Sequence, residues 1–140
     1  MSDCIFCKIL VGKEESSIIY QDEICTALLD IEPITPGHTL IIPNRHAMNL
    51  ANLDEQTGAH LFRIAQRVAA AIGRSVLKCE GVNLLLSDGE VAGQEVFHTH
   101  LHVLPRFKGD GFGFKLPSEC GIKAEREELD AVAEQIRKAF

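Results

Sequence analysis

Phe97-His98-Thr99-His100-Leu101-His102-Val103 is the stretch that decides how this chain is read. Three histidines alternate with Thr99, Leu101 and Val103, residue types that suit a strand. On a strand, positions two apart share a face, so the spacing predicts three imidazoles in a row about 6.6 Å apart. On a helix His100 would point away from the other two. A row of titratable rings is costly to bury unless each ring finds a partner. Three readings follow. The row is a polar sheet face without chemistry, a tridentate metal site, or a nucleophilic imidazole aimed at phosphorus with neighbours that orient or donate protons. Gly93-Gln94 leads into the row from a glycine loop, where backbone N–H groups could hold phosphate oxygens.

Working outward, the alternation from Val96 to Leu104 predicts a fifth strand stopped by Pro105. Ser16 to Tyr20 and Ile24 to Leu29 predict a hairpin around Gln21-Asp22-Glu23. His38 to Pro43 reads as a third strand and Val82 to Leu86 as a fourth, with loops at Asp30–Gly37 and Ser87–Gly93. Asn52 with Glu55 three residues on has the form of a capping box. Behind it Leu61, Ala65, Val68 and Ile72 mark one face of a long helix ending near Gly73 or Arg74. Lys108 to Pro117 reads as a folded surface loop. Leu129, Val132, Ala133, Ile136 and Phe140 lie on one face of a C-terminal helix, with acidic residues at its start and basic ones at its end, as the helix dipole favours. The element order predicts an α+β domain with a mainly antiparallel five-stranded sheet, one long helix and a C-terminal helix.

Cys4-Ile5-Phe6-Cys7 is a second constellation. Two thiolates at that spacing can grip one metal ion from a tight turn, and His46 with one histidine of the row can complete a Cys2His2 tetrahedron. The same pair also reads as a redox couple or as two core thiols. An attacking imidazole needs a free lone pair, so His98, at the end of the row, is the member that can go to metal while His100 stays free.

The chain has 140 residues, of which 46% are hydrophobic and 24% charged, the balance of an ordinary single globular domain. Its 14 basic and 20 acidic residues give a net charge of -6, which argues against a nucleic-acid partner. No apolar run approaches the ~20 residues of a membrane span. The first residues lack the pattern of a signal peptide, and five cysteines suit a reduced thiol set, so a cytoplasmic address is expected.

Together these segments resemble the histidine triad (HIT) family. His98-Thr-His100-Leu-His102-Val-Leu fits its His-x-His-x-His signature. Cys4-Ile-Phe-Cys-Lys-Ile, Leu29-Asp-Ile-Glu-Pro-Ile-Thr-Pro-Gly-His, Ile41-Ile-Pro-Asn-Arg-His46 and Gly93-Gln-Glu-Val-Phe match flanking segments in the family's order. The resemblance is to bacterial members that keep the cysteine pair. It implies one HIT domain over 1–140, with the motifs in 4–107 and a C-terminal loop and helix in 108–140. It also implies a homodimer whose sheets join across the two-fold axis. The implied activity is a nucleotidyl hydrolase cleaving phosphoanhydride or phosphoramidate bonds of purine nucleotides. Dinucleoside polyphosphates of the diadenosine tetraphosphate type are the expected substrate, and a non-catalytic nucleotide-binding or sensor protein is the alternative. By the same resemblance His100 is the nucleophile, His102 bonds the α-phosphate and His98 supports proton transfer to the leaving group. Asp30 accepts from the ribose hydroxyls. Asn83, Gly93, Gln94 and the Val96 backbone approach phosphate, while Ile5, Phe6, Ile9 and Leu28 form the slot for the base. Zinc is held by Cys4, Cys7, His46 and His98. Many members carry Ser or Thr after the Gly-Gln pair, where this chain has Glu95.

Overall fold

The computed structural model describes residues 3–140. Its centre is one sheet of five strands in the order β1-β2-β3-β5-β4, antiparallel at every pairing. The strands are β1 (Ile18–Gln21), β2 (Cys25–Leu29), β3 (Thr39–Pro43), β4 (Gly81–Leu85) and β5 (Leu101–Arg106). Side chains alternate across the two faces. Cys25, Ala27, Ile41, Leu101 and Val103 point to one side and pack against Leu61, Ile64, Ala65, Val68 and Ile72 of the long helix α2 (Glu55–Arg74). Leu28, Leu40 and Ile42 point to the other side and meet Phe6 of a short helix, α1 (Ile5–Leu10). The last helix, α3 (Arg126–Ala139), contributes no buried residue.

Four details depart from the sequence reading. The segment holding Cys4 and Cys7 is not a bare turn but the start of α1, which seats Phe6 in the second core. The fifth strand begins at Leu101, because a tight turn (His98 N–H to the Val96 carbonyl) and a bond from Thr99 N–H to the Ala47 carbonyl draw the preceding residues off the ladder. Pro105 does not end that strand. The β3 ladder stops at the Thr39–Val103 pair, so the missing N–H of Pro105 falls where β5 has no partner on that side. The long helix is capped by Asp54 and not Asn52. Leu50–Asn52 closes its own 3₁₀ turn, capped by Asn49, and Asp54 then accepts from Thr57 N–H.

The third strand is delivered by Pro36-Gly37. Gly37 has φ +85, and a Cβ there would come within 2.7 Å of Leu77 Cδ1, so only glycine fits this corner. The corner sends His38 into the sheet beside His102.

Candidate active site

His98, His100 and His102 carry the same ring, and the backbone gives each a different tautomer. His98 Nε2 lies 2.8 Å from the Pro43 carbonyl. A carbonyl only accepts, so Nε2 holds the proton and Nδ1 keeps its lone pair. His100 is reversed: its Nδ1 donates to the carbonyl of His98 at 2.7 Å, which leaves Nε2 as a free base. His102 is set at second hand. Ile34 N–H donates to His38 Nδ1 at 3.2 Å, so the His38 proton sits on Nε2 and is given to His102 Nδ1 at 2.8 Å. The His102 proton therefore resides on Nε2.

All three rings are held close. His100 is 8% exposed, its centroid 5.3 Å from Phe6 and 4.9 Å from His102, edge to face in both cases. Burial, then the neighbouring rings of His100 and His38, pull the His102 pKa down to about 4. Burial likewise lowers those of His38 and His98. Burial thus favours the neutral form of His38, His98 and His102. The row sets one imidazole nitrogen without a hydrogen-bond partner among the described residues (His100 Nε2) beside one imidazole N–H donor (His102 Nε2). A lone-pair nucleophile and a proton donor to an adjacent oxyanion are what displacement at phosphorus requires.

The residues expected around the row fall into groups. Phe6, Ile9 and Leu28 pack together with Val96 in the α1 core, and Ile5 lies half-exposed on the same helix. Asp30 follows β2. Its Oδ1 accepts from Glu32 N–H at 2.9 Å, while Oδ2 is 3.6 Å from His38 Nδ1. Asn83 stands on β4 opposite Leu104, on the sheet face that carries His102, and its Oδ1 accepts from Arg106.

The backbone N–H groups of Gly93 and Gln94 are engaged within their own loop. Gly93 N–H donates to the Glu90 carbonyl and Gln94 N–H to the Gly89 carbonyl. The Gln94 side chain is buried, accepting from Gly89 N–H and donating to the carbonyls of Met48 and Val96. The pair shapes the loop, with Gly93 at φ +89, and presents Glu95 and Val96 next to the row. His98 is held at both ring nitrogens, its Nε2–H by the Pro43 carbonyl and its Nδ1 against the thiols of Cys4 and Cys7, and it meets His100 through its backbone carbonyl.

A second group joins the row from below. Ligand atoms of Cys4, Cys7, His46 and His98 all lie within 4.8 Å of one another. Cys4 Sγ is 3.4 Å from His98 Nδ1, Cys7 Sγ is 3.4 Å from His46 Nδ1, and Cys7 Sγ is 3.7 Å from His98 Nδ1. A tetrahedron with bonds of ~2.3 Å to sulfur and ~2.0 Å to nitrogen has sulfur–nitrogen edges of about 3.5 Å. The lone pair of His98 Nδ1 faces the thiols while its Nε2–H is held by a backbone carbonyl, the usual outer support of a metal-bound histidine. The donor set and its spacing fit zinc.

His38 is a further residue that the structure brings to the row. Its position after Gly37 at a strand start was visible, but its bond to a ring 64 residues away was not. His60 and Asp22 form a different, structural knot. Asp22 accepts from Ile24 and Cys25 N–H, Tyr20 O–H and His60 Nε2–H, which ties the β1–β2 turn to α2.

Comparison with known proteins agrees with this geometry. The family model for the HIT domain matches residues 11–109. A HIT family protein from Bacillus anthracis superposes with a TM-score of 0.90 at 39% identity, covering 99% of this chain and 97% of that one. A Zn-bound histidine triad family protein from Mycobacterium smegmatis gives 0.78 at 38% identity, covering 99% of each chain. A histidine triad nucleotide-binding protein from Candida albicans gives 0.84 at 26% identity, covering 98% and 96%.

Proposed function

The chain belongs to the HIT family, and from that premise we propose that it is a nucleotidyl hydrolase acting on purine nucleotides through a covalent nucleotidyl-histidine. The observation that carries this reading is the bond from His100 Nδ1–H to the His98 carbonyl, which aims an unprotonated Nε2 outward. Nε2 attacks the α-phosphorus, the bond from phosphorus to the bridging oxygen or nitrogen breaks, and its electron pair leaves with the departing group, a departing amine taking up a proton from solvent. A polyphosphate departs as an anion without needing a proton. His102 Nε2–H bonds a non-bridging oxygen and offsets charge as it builds. The nucleotidyl ring is then an imidazolium, whose positive charge is stabilised by the Nδ1–H bond to the carbonyl. Water attacks the same phosphorus, the ring leaves as a neutral base, and one proton passes to solvent.

Phe6, Ile9 and Leu28 supply the apolar slot for the base, and Asp30 Oδ2 is available to a ribose hydroxyl. Dinucleoside polyphosphates are the favoured substrates and nucleoside phosphoramidates the next. Zinc would be held by Cys4, Cys7, His46 and His98, where it would cross-link α1 to the histidine segment. Among the described residues no helix is long and apolar enough to cross a membrane, and free thiols at a metal group suit the reducing cytoplasm. The reading extends to a homodimer, supported by the open edge of β4 and the uncovered apolar face of α3.

The test is His100→Asn. It is expected to lower turnover of diadenosine tetraphosphate by at least a thousandfold while AMP still binds. Rapid quenching of the wild type at neutral pH should trap an acid-labile nucleotidyl group on His100. Full activity in the variant would refute the assignment.

A further inference from the structure

Arg106 ends β5 on the sheet face that carries His102, four residues beyond it, and its charge is directed into the loop that follows. Nε donates to Asp110 Oδ2 at 2.7 Å and Nη2 to Asp110 Oδ1 at 2.9 Å, a two-pronged ion pair. Nη2 also donates to the Phe112 carbonyl, and the guanidinium lies 4.9 Å from the centre of the Phe112 ring. Asp110 is held from its own side by the N–H groups of Phe107 and Phe112, each at 3.1 Å. These partners hold its carboxyl well below the usual carboxylate range, the Arg106 bond most strongly. The fourth engaged N–H of Arg106, on Nη1, donates to Asn83 Oδ1 at 2.8 Å.

That last bond decides what Asn83 can do. A side-chain amide is a planar fork with an acceptor on one prong and two donors on the other. Once Oδ1 is fixed to the guanidinium, the NH2 prong lies on the side away from Arg106. Asn83 Nδ2 makes no hydrogen bond among the described residues and is not buried without a partner. Along β4 the next residue on this face is Leu85, which lies opposite His102. The free donor therefore stands one ladder step from the ring that bonds the phosphate in the reading above.

We propose that Arg106 is a positioning residue: clamped by Asp110, it orients the Asn83 amide so that Nδ2 donates to a phosphate oxygen of the bound nucleotide. This rests on the nucleotide reading and goes beyond it by giving the 106–112 loop a task. The loop holds a cation that does not bind the anion itself but sets the polarity of a neutral neighbour. A neutral donor binds a phosphate oxygen without adding net charge, so product nucleotide is not held by a further ion pair.

The test is AMP and adenosine binding by calorimetry to the wild type, Arg106→Lys, Asn83→Ala and the double variant. Lysine keeps a charge for Asp110 but lacks the planar fork that reaches both partners. Each single variant is expected to weaken AMP binding about tenfold, the scale of one hydrogen bond to a charged group. Adenosine binding should stay within twofold, and the double variant should lose no more than either single one. If Arg106→Lys does not fold, the wild type still decides. One Asn83 Nδ2–H proton signal should move downfield on adding AMP and stay put on adding adenosine. Losses that multiply in the double variant, an equal loss of adenosine binding, or an Asn83 signal indifferent to AMP would overturn the proposal. A wild type that binds no AMP would instead overturn the nucleotide reading, and this proposal with it.

Discussion

His98 gives its proton to Pro43, His100 gives its proton to His98, and His102 receives one from His38. Three identical side chains thereby become a metal-facing lone pair, a nucleophile and a donor, through two backbone carbonyls and one neighbouring ring. Because His102 is kept neutral by burial and by its neighbours, its state also bears on stability. Its pKa is about 4 in the folded chain and near 6.5 when unfolded. Between those values the unfolded chain takes up a proton that the native chain refuses, so stability falls as pH drops from about 6.5 toward 4. In His102→Asn the amide keeps an acceptor for His38 but no longer titrates. Thermal midpoints at intervals from pH 7 to 4 should thus fall less steeply in the variant than in the wild type. Equal slopes would show that His102 is protonated in the native chain. The spacing of the row was readable from sequence because period 2 is a local property. The tautomers were not, since each depends on a carbonyl or ring that only the fold brings near.

At the scale of elements, strands and the long helix were legible because their hydrophobic periods run for several residues. The short helix α1 was not. Six residues are too few for a helical period to stand out, and its apolar side chains face a core built from β2 and β3. The cysteine pair was legible as a metal motif, but its consequence appears only with α1 in place. Phe6 meets both His98 and His100 edge to face, so the element carrying the thiols also walls the nucleophile. Zinc between α1 and the histidine segment would therefore hold the site's shape and not enter its chemistry. In Cys4→Ser/Cys7→Ser, zinc measured by atomic absorption should fall from about one per chain to below a tenth. The thermal midpoint should drop by several degrees, and His100 should keep a measurable, slower turnover. Zinc content unchanged in that variant would place the metal elsewhere. Activity lost at once on chelation, with the fold intact, would give the metal a direct part in the reaction.

Across the whole molecule, one sheet separates two tasks. The α2 side is mainly apolar packing, with the Asp22–His60 knot at its margin, and the opposite side carries α1, the histidine row and the Arg106 loop. Helix α3 belongs to neither. Its 14 residues form an amphipathic helix with Leu129, Val132 and Ile136 on one face, yet Val132 is 53% and Ile136 57% exposed. A helix of that length is marginal in water on its own, and most helical stability comes from packing an apolar face. The sequence showed that face plainly but not what covers it, because an amphipathic pattern has the same form whether its partner is the same chain or another. If a second copy covers it, burying these side chains contributes about 1.5–3 kcal/mol each. Val132→Glu/Ile136→Glu replaces that gain with buried charge and should weaken self-association at least a hundredfold. Sedimentation equilibrium should then find the wild type as a dimer at micromolar concentration and the variant near its chain mass of 15.4 kDa. The histidine row lies on β5 and the turn that leads into it and not on α3, so AMP binding should survive in the variant. A wild type that sediments as a monomer at every concentration would remove the second copy and leave α3 to a different protein.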